Sequence, residues 1–269
     1  MKRYAVIGYP VEHSKSPQLH EAGFQEFGID ATFEKIEVKP EDLENWLKND
    51  FREHFAGAAV TLPHKIEVRK YIDRESEAAR KIGAVNTLIN NNGIIEGTNT
   101  DGIGALRAIQ SAMSVVEKRV LVLGAGGAAR AIIFALKTAG AQVAVWNRTP
   151  EKAKELAKEF EVGFVERLED AARVASHLDL FVNTVALNAG TFWPRDFFSE
   201  KGKYPSWVAF DASYEPLETP FLLEAEESGA EIITGDKMLV HQAIEQFKLW
   251  HGIAPEAEIF GGCVFFMIL

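Results

Sequence analysis

The first group of residues suited to chemistry in this chain is a glycine-rich loop. Segment 120–130 reads as an apolar strand, a tight turn and the start of a helix. At such a turn the N–H groups of the helix N-terminus face an anion, and glycines let the backbone approach a pyrophosphate. The loop residues that would do so are Gly124, Ala125, Gly126, Gly127 and Ala128. This pattern predicts a dinucleotide site, although a tight turn without a ligand would also need glycine.

The end of the next strand indicates which dinucleotide would bind. NAD sites usually place a carboxylate there, about 20 residues after the loop, for the ribose diol. This chain has Asn147, Arg148 and Thr149 instead. A guanidinium suits a 2′-phosphate, which a carboxylate would repel. We therefore predict NADP(H), while Thr149 followed by Pro150 is also a good helix start.

A second group of polar residues precedes the glycine-rich loop, at predicted strand ends and helix starts. Ser14 and Ser16 lie two residues apart and could both donate to one carboxylate. Lys65 and Asp101 could meet as an acid–base pair. Reduction of a ketone needs a proton or a positive charge at the developing alkoxide, which a lysine can supply while a carboxylate orients it. As structural alternatives, Ser16 and Asp101 could be N-caps of the helices that follow them.

The elements that must position these residues alternate between strand and helix patterns, which is typical of α/β proteins with largely parallel sheets. We predict two domains: an open α/β substrate domain (1–101 plus 237–269) and a Rossmann-type NADP-binding domain (102–236). The predicted strands are 3–8, 31–38, 57–62, 85–90, 94–98, 119–123, 142–146, 162–165, 178–182, 207–211 and 230–234. The predicted helices are 16–27, 40–48, one from Pro63, 101–113, 127–139, 150–160, 168–176, 219–228 and 238–251. Asn91-Asn92-Gly93 predicts a hairpin turn.

Composition argues against several classes of partner. The formal net charge of −10 disfavours binding to nucleic acid or to an anionic membrane. A single cysteine, Cys263, allows no internal disulfide. No segment approaches the roughly 20 apolar residues of a membrane span. We expect a cytoplasmic monomer or homodimer that acts on a small molecule, holds no metal, and packs its apolar tail, 259–269, on the body or at an interface.

Six short motifs carry a resemblance to a known family. They are Ser-Lys-Ser-Pro (14–17), Val-Thr-Leu-Pro-His-Lys (60–65), Gly-Ala-Val-Asn-Thr (83–87), Asn-Thr-Asp-Gly (99–102), Gly-Ala-Gly-Gly-Ala-Ala-Arg (124–130) and Asn-Arg-Thr (147–149). In order and spacing they resemble the shikimate dehydrogenase family over nearly the whole chain. The resemblance implies NADPH-dependent reduction of 3-dehydroshikimate to shikimate, in aromatic amino-acid biosynthesis.

The same resemblance implies roles for single residues. The substrate carboxylate would be held by Ser14 and Ser16, the ring hydroxyls or keto group by Thr61, Asn86, Asp101 and Gln242, and the catalytic pair would be Lys65 and Asp101. Tyr214 would line the pocket, and Gly235 would lie beside the nicotinamide. Taken on the residue types alone, Asn86 could instead bond only to neighbouring backbone, and Gln242 could be merely solvated.

Two positions and one segment differ from the family pattern, and two alternatives stay open. Ala59 stands where the family usually has an asparagine, segment 184–188 lacks hydroxyls that could contact a cofactor, and Lys237 replaces a small residue. One alternative is a quinate/shikimate dehydrogenase with relaxed cofactor use. The other is a ligand-binding paralogue with weakened catalysis.

Overall fold

The computed structural model of the chain describes residues 1–170, 177–186, 197–198 and 207–265, with 263–265 described by their backbone alone. Contacts divide the chain into two units, which we describe separately. Unit 1 is Met1–Gly104 with Leu239–Leu269, and unit 2 is Ala105–Met238.

The two units contain the regular elements that follow, in chain order. They are β1 Lys2–Gly8, α1 Ser16–Glu26, β2 Ala31–Glu37, β3 Gly57–Val60, β4 Arg74–Glu75, α2 Glu77–Ile82, β5 Thr87–Asn91, β6 Ile94–Thr98, α3 Asp101–Gln110, β7 Arg119–Leu123, α4 Gly127–Thr138, β8 Gln142–Trp146, α5 Pro150–Phe160, β9 Gly163–Phe164, β10 Leu180–Asn183, β11 Val208–Asp211, α6 Pro220–Glu227, β12 Glu231–Ile233, α7 Gly235–His251 and α8 Ala257–Phe265. The predicted α/β class is confirmed.

Unit 1 is built on a mixed sheet in the order β2-β1-β3-β5-β6-β4. β1 runs parallel to β2 and β3, whereas β5 is antiparallel to both β3 and β6. The predicted hairpin is confirmed: Asn92 has φ 53° and Gly93 φ 84°, the paired positive values of a type I′ turn. This topology brings the ends of β1, β3 and β6 and the start of β5 to one edge of the sheet.

Each face of the unit 1 sheet buries a different kind of core, because successive strand residues point to opposite sides. Ala5 and Ile7 of β1 belong to an aliphatic and aromatic core. This core includes buried residues of an irregular helical segment at 40–54, whose middle, Trp46–Phe51, is π-helical. Tyr4, which alternates with them, contacts Phe24 and Trp250 in an aromatic cluster on the other side.

Two sequence-based expectations about unit 1 are wrong. Pro63 begins no helix: residues 62–66 form turns and a short 3-10 helix follows at Glu67–Lys70. The carbonyl of Lys65 accepts a hydrogen bond from the N–H of Val85, which belongs to another segment. The helical segment expected to end near residue 48 continues to 54. The sequence analysis also predicts neither the two-residue β4 nor α2.

Unit 2 is an all-parallel sheet in the order β12-β11-β10-β7-β8-β9. Along β7, Val120 and Val122 join one buried core while Leu121 and Leu123 join a second. A strand buried on both faces reads as a continuous apolar run, as this one does. Part of the expected helix 168–176, and most of the segment between β10 and β11, lie outside the described residues.

The apolar tail is described only in part. Phe260 in α8 is fully buried and contacts His20 and Phe247, so the start of the tail packs on unit 1. Residues 266–269 lie outside the described residues. None of the helices described is both long and apolar enough to cross a membrane.

Candidate functional site

Lys65 and Asp101 form an ion pair at the edge of the unit 1 sheet where β3 and β6 end. Lys65 Nζ donates to Asp101 Oδ2 over 2.6 Å, and the two side chains are 14% and 5% exposed. Little water therefore screens the pair, which strengthens its electrostatic interaction. Asp101 is the first residue of α3, where a carboxylate is favoured by the helix dipole. Its backbone N–H bonds to Asn99 Oδ1, so Asp101 is not the N-cap.

Asn86 connects this ion pair to its surroundings. Its Nδ2 donates to Asp101 Oδ1 over 2.8 Å and to Thr100 Oγ1 over 3.0 Å. Its Oδ1 accepts from Thr100 N–H at 2.8 Å and from Thr87 Oγ1 at 2.7 Å. Asn86 therefore bonds to side chains of other segments, and the alternative of neighbouring backbone alone is wrong.

Gln242 on α7 also reaches this group. It is buried, its Oε1 lies 3.5 Å from Asn86 Nδ2, and its Nε2 donates to the carbonyl of Leu239. The merely solvated role is therefore wrong for Gln242. The structure thus brings four of the residues singled out in the sequence into one connected polar group: Lys65, Asp101, Asn86 and Gln242.

Ser14 and Ser16 form a separate buried pair. Ser14 Oγ lies 3.2 Å from Ser16 Oγ and accepts the N–H of Ser16 at 3.3 Å. Helix α1 begins at Ser16 itself, with Lys15 at the N-cap position. The expectation that Ser16 is the N-cap is therefore wrong, because it is Ser14 that accepts an N–H of the first turn. Within the described ranges, no hydrogen bond joins these serines to Lys65 or Asp101.

Thr61 and Ala59 lie at the end of β3. Thr61 N–H donates to the carbonyl of Ile7, which ties this end to β1. Ala59 is buried and pairs with Thr87 across the sheet. The side-chain amide that an asparagine at position 59 would supply is not needed to hold Lys65. Asp101 binds the Nζ of Lys65, and the N–H of Val85 binds the carbonyl of Lys65.

His64, next to Lys65, has a structural contact. His64 is buried and its Nε2 lies 2.7 Å from the carbonyl oxygen of Val38. Burial lowers the pKa of His64, with the Val38 hydrogen bond acting the other way, so the ring is held neutral near pH 7. Among the residues that the structure describes, no cluster of three or more metal-ligating side chains occurs.

The glycine-rich loop of unit 2 follows β7. Gly124 has φ +115°, a value that side chains rarely adopt. A Cβ there would also lie 2.3 Å from Thr184 Oγ1, which donates to the carbonyl of Leu123. Gly124 is therefore required by the protein's own backbone and packing.

Gly126 is different, because nothing in the described protein requires a glycine there. Its φ of −85° is open to any residue, and an added Cβ would meet no atom within 4 Å. It is the N-cap of α4 and no side chain caps this helix, which leaves the N–H groups of its first turn for a ligand. The loop therefore fits the pyrophosphate of a dinucleotide.

The end of β8 presents Asn147, Arg148 and Thr149. Asn147 Nδ2 donates to the carbonyl of Thr149. Helix α5 begins at Pro150 with Thr149 as the N-cap residue, although no side-chain capping bond forms. Arg148 is exposed and makes no hydrogen bond or ion pair within the described part of the chain. Its guanidinium is thus suited to a phosphate brought by a ligand.

Asp211 organises the segment of unit 2 that carries Tyr214. It is fully buried and accepts from Asn183 Nδ2, Thr219 Oγ1 and Ser213 N–H, each at 2.8 Å. Burial raises the pKa of Asp211, while these hydrogen bonds oppose the shift. The sequence analysis does not assign these contacts, and the partner on β10, Asn183, is 28 residues away along the chain.

Gly235 packs directly on the same segment. A Cβ at Gly235 would lie 2.3 Å from the carbonyl oxygen of Ser213. The start of α7 therefore approaches the backbone of the Asp211–Tyr214 segment as closely as the chain allows. Lys237, two residues later, is exposed. Tyr214 and Gly235 belong to unit 2, whereas Lys65 and the serines belong to unit 1.

Comparison with known protein families gives three consecutive matches. Residues 6–88 match the shikimate dehydrogenase substrate binding domain. Residues 107–192 match a family described as shikimate / quinate 5-dehydrogenase. Residues 237–260 match the shikimate 5′-dehydrogenase C-terminal domain. Together these cover most of the chain.

Individual relatives agree over almost their full lengths. A shikimate dehydrogenase (NADP(+)) from Methanococcoides burtonii is 40% identical over 96% of this chain and 95% of its own. The crystal structure of shikimate 5-dehydrogenase from Thermus thermophilus with NADP(H) and shikimate has a TM-score of 0.87, 37% identity, and coverage of 98% and 99%. Quinate dehydrogenase from Corynebacterium glutamicum in complex with NAD has a TM-score of 0.85, 27% identity, and coverage of 100% and 99%.

Proposed function

The chain belongs to the shikimate dehydrogenase family, and we propose that it catalyses the reversible NADPH-dependent reduction of 3-dehydroshikimate to shikimate. The observation that carries this proposal is the buried pair of Lys65 and Asp101, 2.6 Å apart, with Asn86 bonded to the same carboxylate. Lys65 and Asn86 of this group lie within residues 6–88, which match the substrate domain of the family. The product would serve aromatic amino-acid biosynthesis.

In the proposed reaction, NADPH supplies a hydride to the carbonyl carbon of the substrate when it is bound. Lys65 supplies a proton to the developing alkoxide, or stabilises its charge, because its Nζ is the cationic donor of the group. Asp101 orients the ammonium through Oδ2 and is itself held through Oδ1 by Asn86. In the reverse direction the neutral amine of Lys65 accepts the hydroxyl proton of shikimate, and Asp101 stabilises the ammonium that forms.

Substrate recognition is assigned to the residues that the family resemblance implies. Ser14 and Ser16 present two hydroxyls 3.2 Å apart, a spacing suited to the two oxygens of a carboxylate. The ring hydroxyls and keto group are assigned to Thr61, Asn86, Asp101 and Gln242. Tyr214 is assigned to the pocket wall.

Cofactor recognition is assigned to the loop 124–128, to residues 147–149 and to Gly235. The uncapped N-terminus of α4 would bind the pyrophosphate, and Arg148 would bind the 2′-phosphate of NADP. Gly235 would lie beside the nicotinamide. We include in the proposal the domain limits 1–101 with 237–269 and 102–236, a cytoplasmic location, and a monomeric or homodimeric state, which light scattering of the purified protein would resolve.

The decisive experiment is an absorbance assay of nicotinamide reduction with shikimate or quinate and with NADP⁺ or NAD⁺. We expect turnover with shikimate and NADP⁺ to exceed the other three combinations. A quinate/shikimate dehydrogenase with relaxed cofactor use is the second candidate, because the chain also resembles a quinate dehydrogenase that binds NAD. It predicts comparable turnover in several combinations. Calorimetric binding of shikimate and NADP⁺ without turnover would instead favour the ligand-binding paralogue.

A further inference from the structure

Three buried polar side chains form a hydrogen-bonded chain behind Asn86. Gln246 on α7 donates through Nε2 to Thr87 Oγ1 over 3.0 Å and to the carbonyl oxygen of Asn86 over 3.2 Å. Its Oε1 lies 3.3 Å from His20 Nε2. His20, Thr87 and Gln246 are each at most 1% exposed, and none of the three is assigned above to substrate, cofactor or catalysis.

The orientation of Gln246 follows from its partners. A main-chain carbonyl can only accept, so the atom facing the carbonyl of Asn86 must be the amide nitrogen. The amide oxygen then faces His20, and His20 Nε2 must carry the hydrogen. Both N–H groups of Gln246 are used, one on Asn86 and one on Thr87.

The direction of the next bond follows from Thr87. Its hydroxyl has one hydrogen and already accepts from Gln246, so it donates to Asn86 Oδ1, its nearer partner at 2.7 Å. Asn86 Oδ1 also accepts the N–H of Thr100. Two donors therefore hold Oδ1, and the amide nitrogen of Asn86 is turned toward Asp101 Oδ1 at 2.8 Å. Asp101 Oδ2 is left to Lys65.

His20, at the far end of this hydrogen-bonded chain, is kept from being protonated by its buried surroundings. His20 is stacked on Phe33, with 4.5 Å between ring centroids, and contacts Trp250 and Phe260. Burial lowers the pKa of His20 to about 3, the hydrogen bond to Gln246 raises it, and the charge of His251 adds to the lowering. His20 Nδ1 has no hydrogen-bond partner among the described residues. His20 therefore stays neutral around pH 7 and keeps its hydrogen on Nε2.

We propose that His20, Gln246 and Thr87 are positioning residues that fix the amide of Asn86 and, through it, the carboxylate of Asp101 for the reaction at Lys65. This inference rests on the proposed function, since it assumes the catalytic role of Lys65 and Asp101. Without the Thr87 hydroxyl, Asn86 Oδ1 keeps only the N–H of Thr100, so the amide that faces the Asp101 carboxylate is held less firmly. A network of this kind acts on geometry and needs no contact with substrate.

The test compares pairs of variants that differ in one hydrogen bond. Thr87→Val removes the hydroxyl and keeps the shape, whereas Thr87→Ser keeps the hydroxyl. Gln246→Met removes both donors at similar volume. Ile244→Val lies on the same helix, is also buried, and reports the effect of loosening that helix without touching the chain. For each variant, kcat, the KM for shikimate and the thermal midpoint are measured, with Lys65→Ala as the reference for loss of catalysis.

We expect Thr87→Val and Gln246→Met each to lower kcat about tenfold or more, since even one lost orienting hydrogen bond has an effect of this size. Thr87→Ser should recover most of the activity, and Ile244→Val should keep kcat at a similar loss of thermal midpoint. Wild-type kcat in Thr87→Val, or a loss of kcat that follows the thermal midpoint through all variants including Ile244→Val, would overturn the inference. Full turnover in Lys65→Ala would overturn the proposed catalytic role and the inference together. Loss of turnover in Lys65→Ala, together with wild-type kcat in Thr87→Val, would contradict only the inference.

Discussion

The carbonyl oxygen of Lys65 accepts a 2.7 Å hydrogen bond from the N–H of Val85. This bond fastens the turn that carries the lysine to the segment that carries Asn86. Two neighbouring strand ends are therefore linked directly at the point where the Lys65–Asp101 pair forms. The lysine reaches the carboxylate from a turn held at the sheet edge, which restricts where its backbone can move.

Replacing Lys65 by alanine should lower kcat by about a thousandfold, within the usual range for removing a general acid or base. Shikimate should still bind in calorimetry, because the residues assigned to its carboxylate and hydroxyls are intact. Lys70→Ala is the matched control, since Lys70 is an exposed lysine paired with Glu67 in the same unit. Unchanged turnover in Lys65→Ala would exclude it as the proton donor.

Replacing Gly124 or Gly126 of the nucleotide loop by alanine should affect two different properties, stability and cofactor binding. Gly124→Ala should lower the free energy of unfolding by about 2 kcal/mol, because of its φ of +115° and the contact with Thr184. Gly126→Ala should change it by less than about 0.5 kcal/mol but raise the KM for NADP⁺. Urea denaturation and cofactor titration separate the two. If Gly126→Ala binds NADP⁺ like the wild type, the phosphate assignment fails.

Replacing Arg148 by glutamine should weaken NADP⁺ binding by about tenfold to a hundredfold, the range of a hydrogen bond to a charged group. Binding of NAD⁺, which has no 2′-phosphate, should hardly change. Lys154→Ala, an exposed lysine on the helix that follows, controls for the loss of one positive charge. Equal losses for both dinucleotides in Arg148→Gln would show that the arginine does not read the 2′-phosphate.

His20 should make the folded state sensitive to acid. Its pKa is lowered by burial from 6.5 to about 3, so the unfolded chain takes up the proton first as pH falls. Stability from the neutral ring is present at pH 7 and is lost between about pH 6.5 and 3, at up to about 1.4 kcal/mol per pH unit. His20→Gln should flatten this dependence in urea unfolding at pH 7 and 5. His54→Gln, which replaces an exposed histidine, is the matched control.

Much of the fold could be predicted because it is encoded locally. The alternation of β7 and α4, the hairpin at Asn92-Gly93 and the strand at Ile94–Thr98 all follow from periodicity and turn chemistry. Strand β4 and the turn at 62–66 could not, because two residues carry no period and the turn is fixed by Val85 from another segment. Short elements held by distant partners leave no local pattern.

The same distinction applies to the candidate site. Lys65 and Asp101 stand out in the sequence because a lysine and a carboxylate that follow predicted strands have few structural uses. Gln246 and Thr87 do not, since their contact joins residues 159 positions apart and each resembles an ordinary polar residue in its own element. The geometry of the polar network had to be seen before their donors and acceptors could be assigned.

Arg148 supports neither its helix nor its strand through any hydrogen bond or ion pair with the described residues. A change at this position therefore carries little penalty for folding. If Arg148 binds the 2′-phosphate as proposed, dinucleotide choice can change by substitution at this position while the sheet, the loop and the polar network stay intact. Redesign of the cofactor preference should accordingly begin at this one exposed side chain.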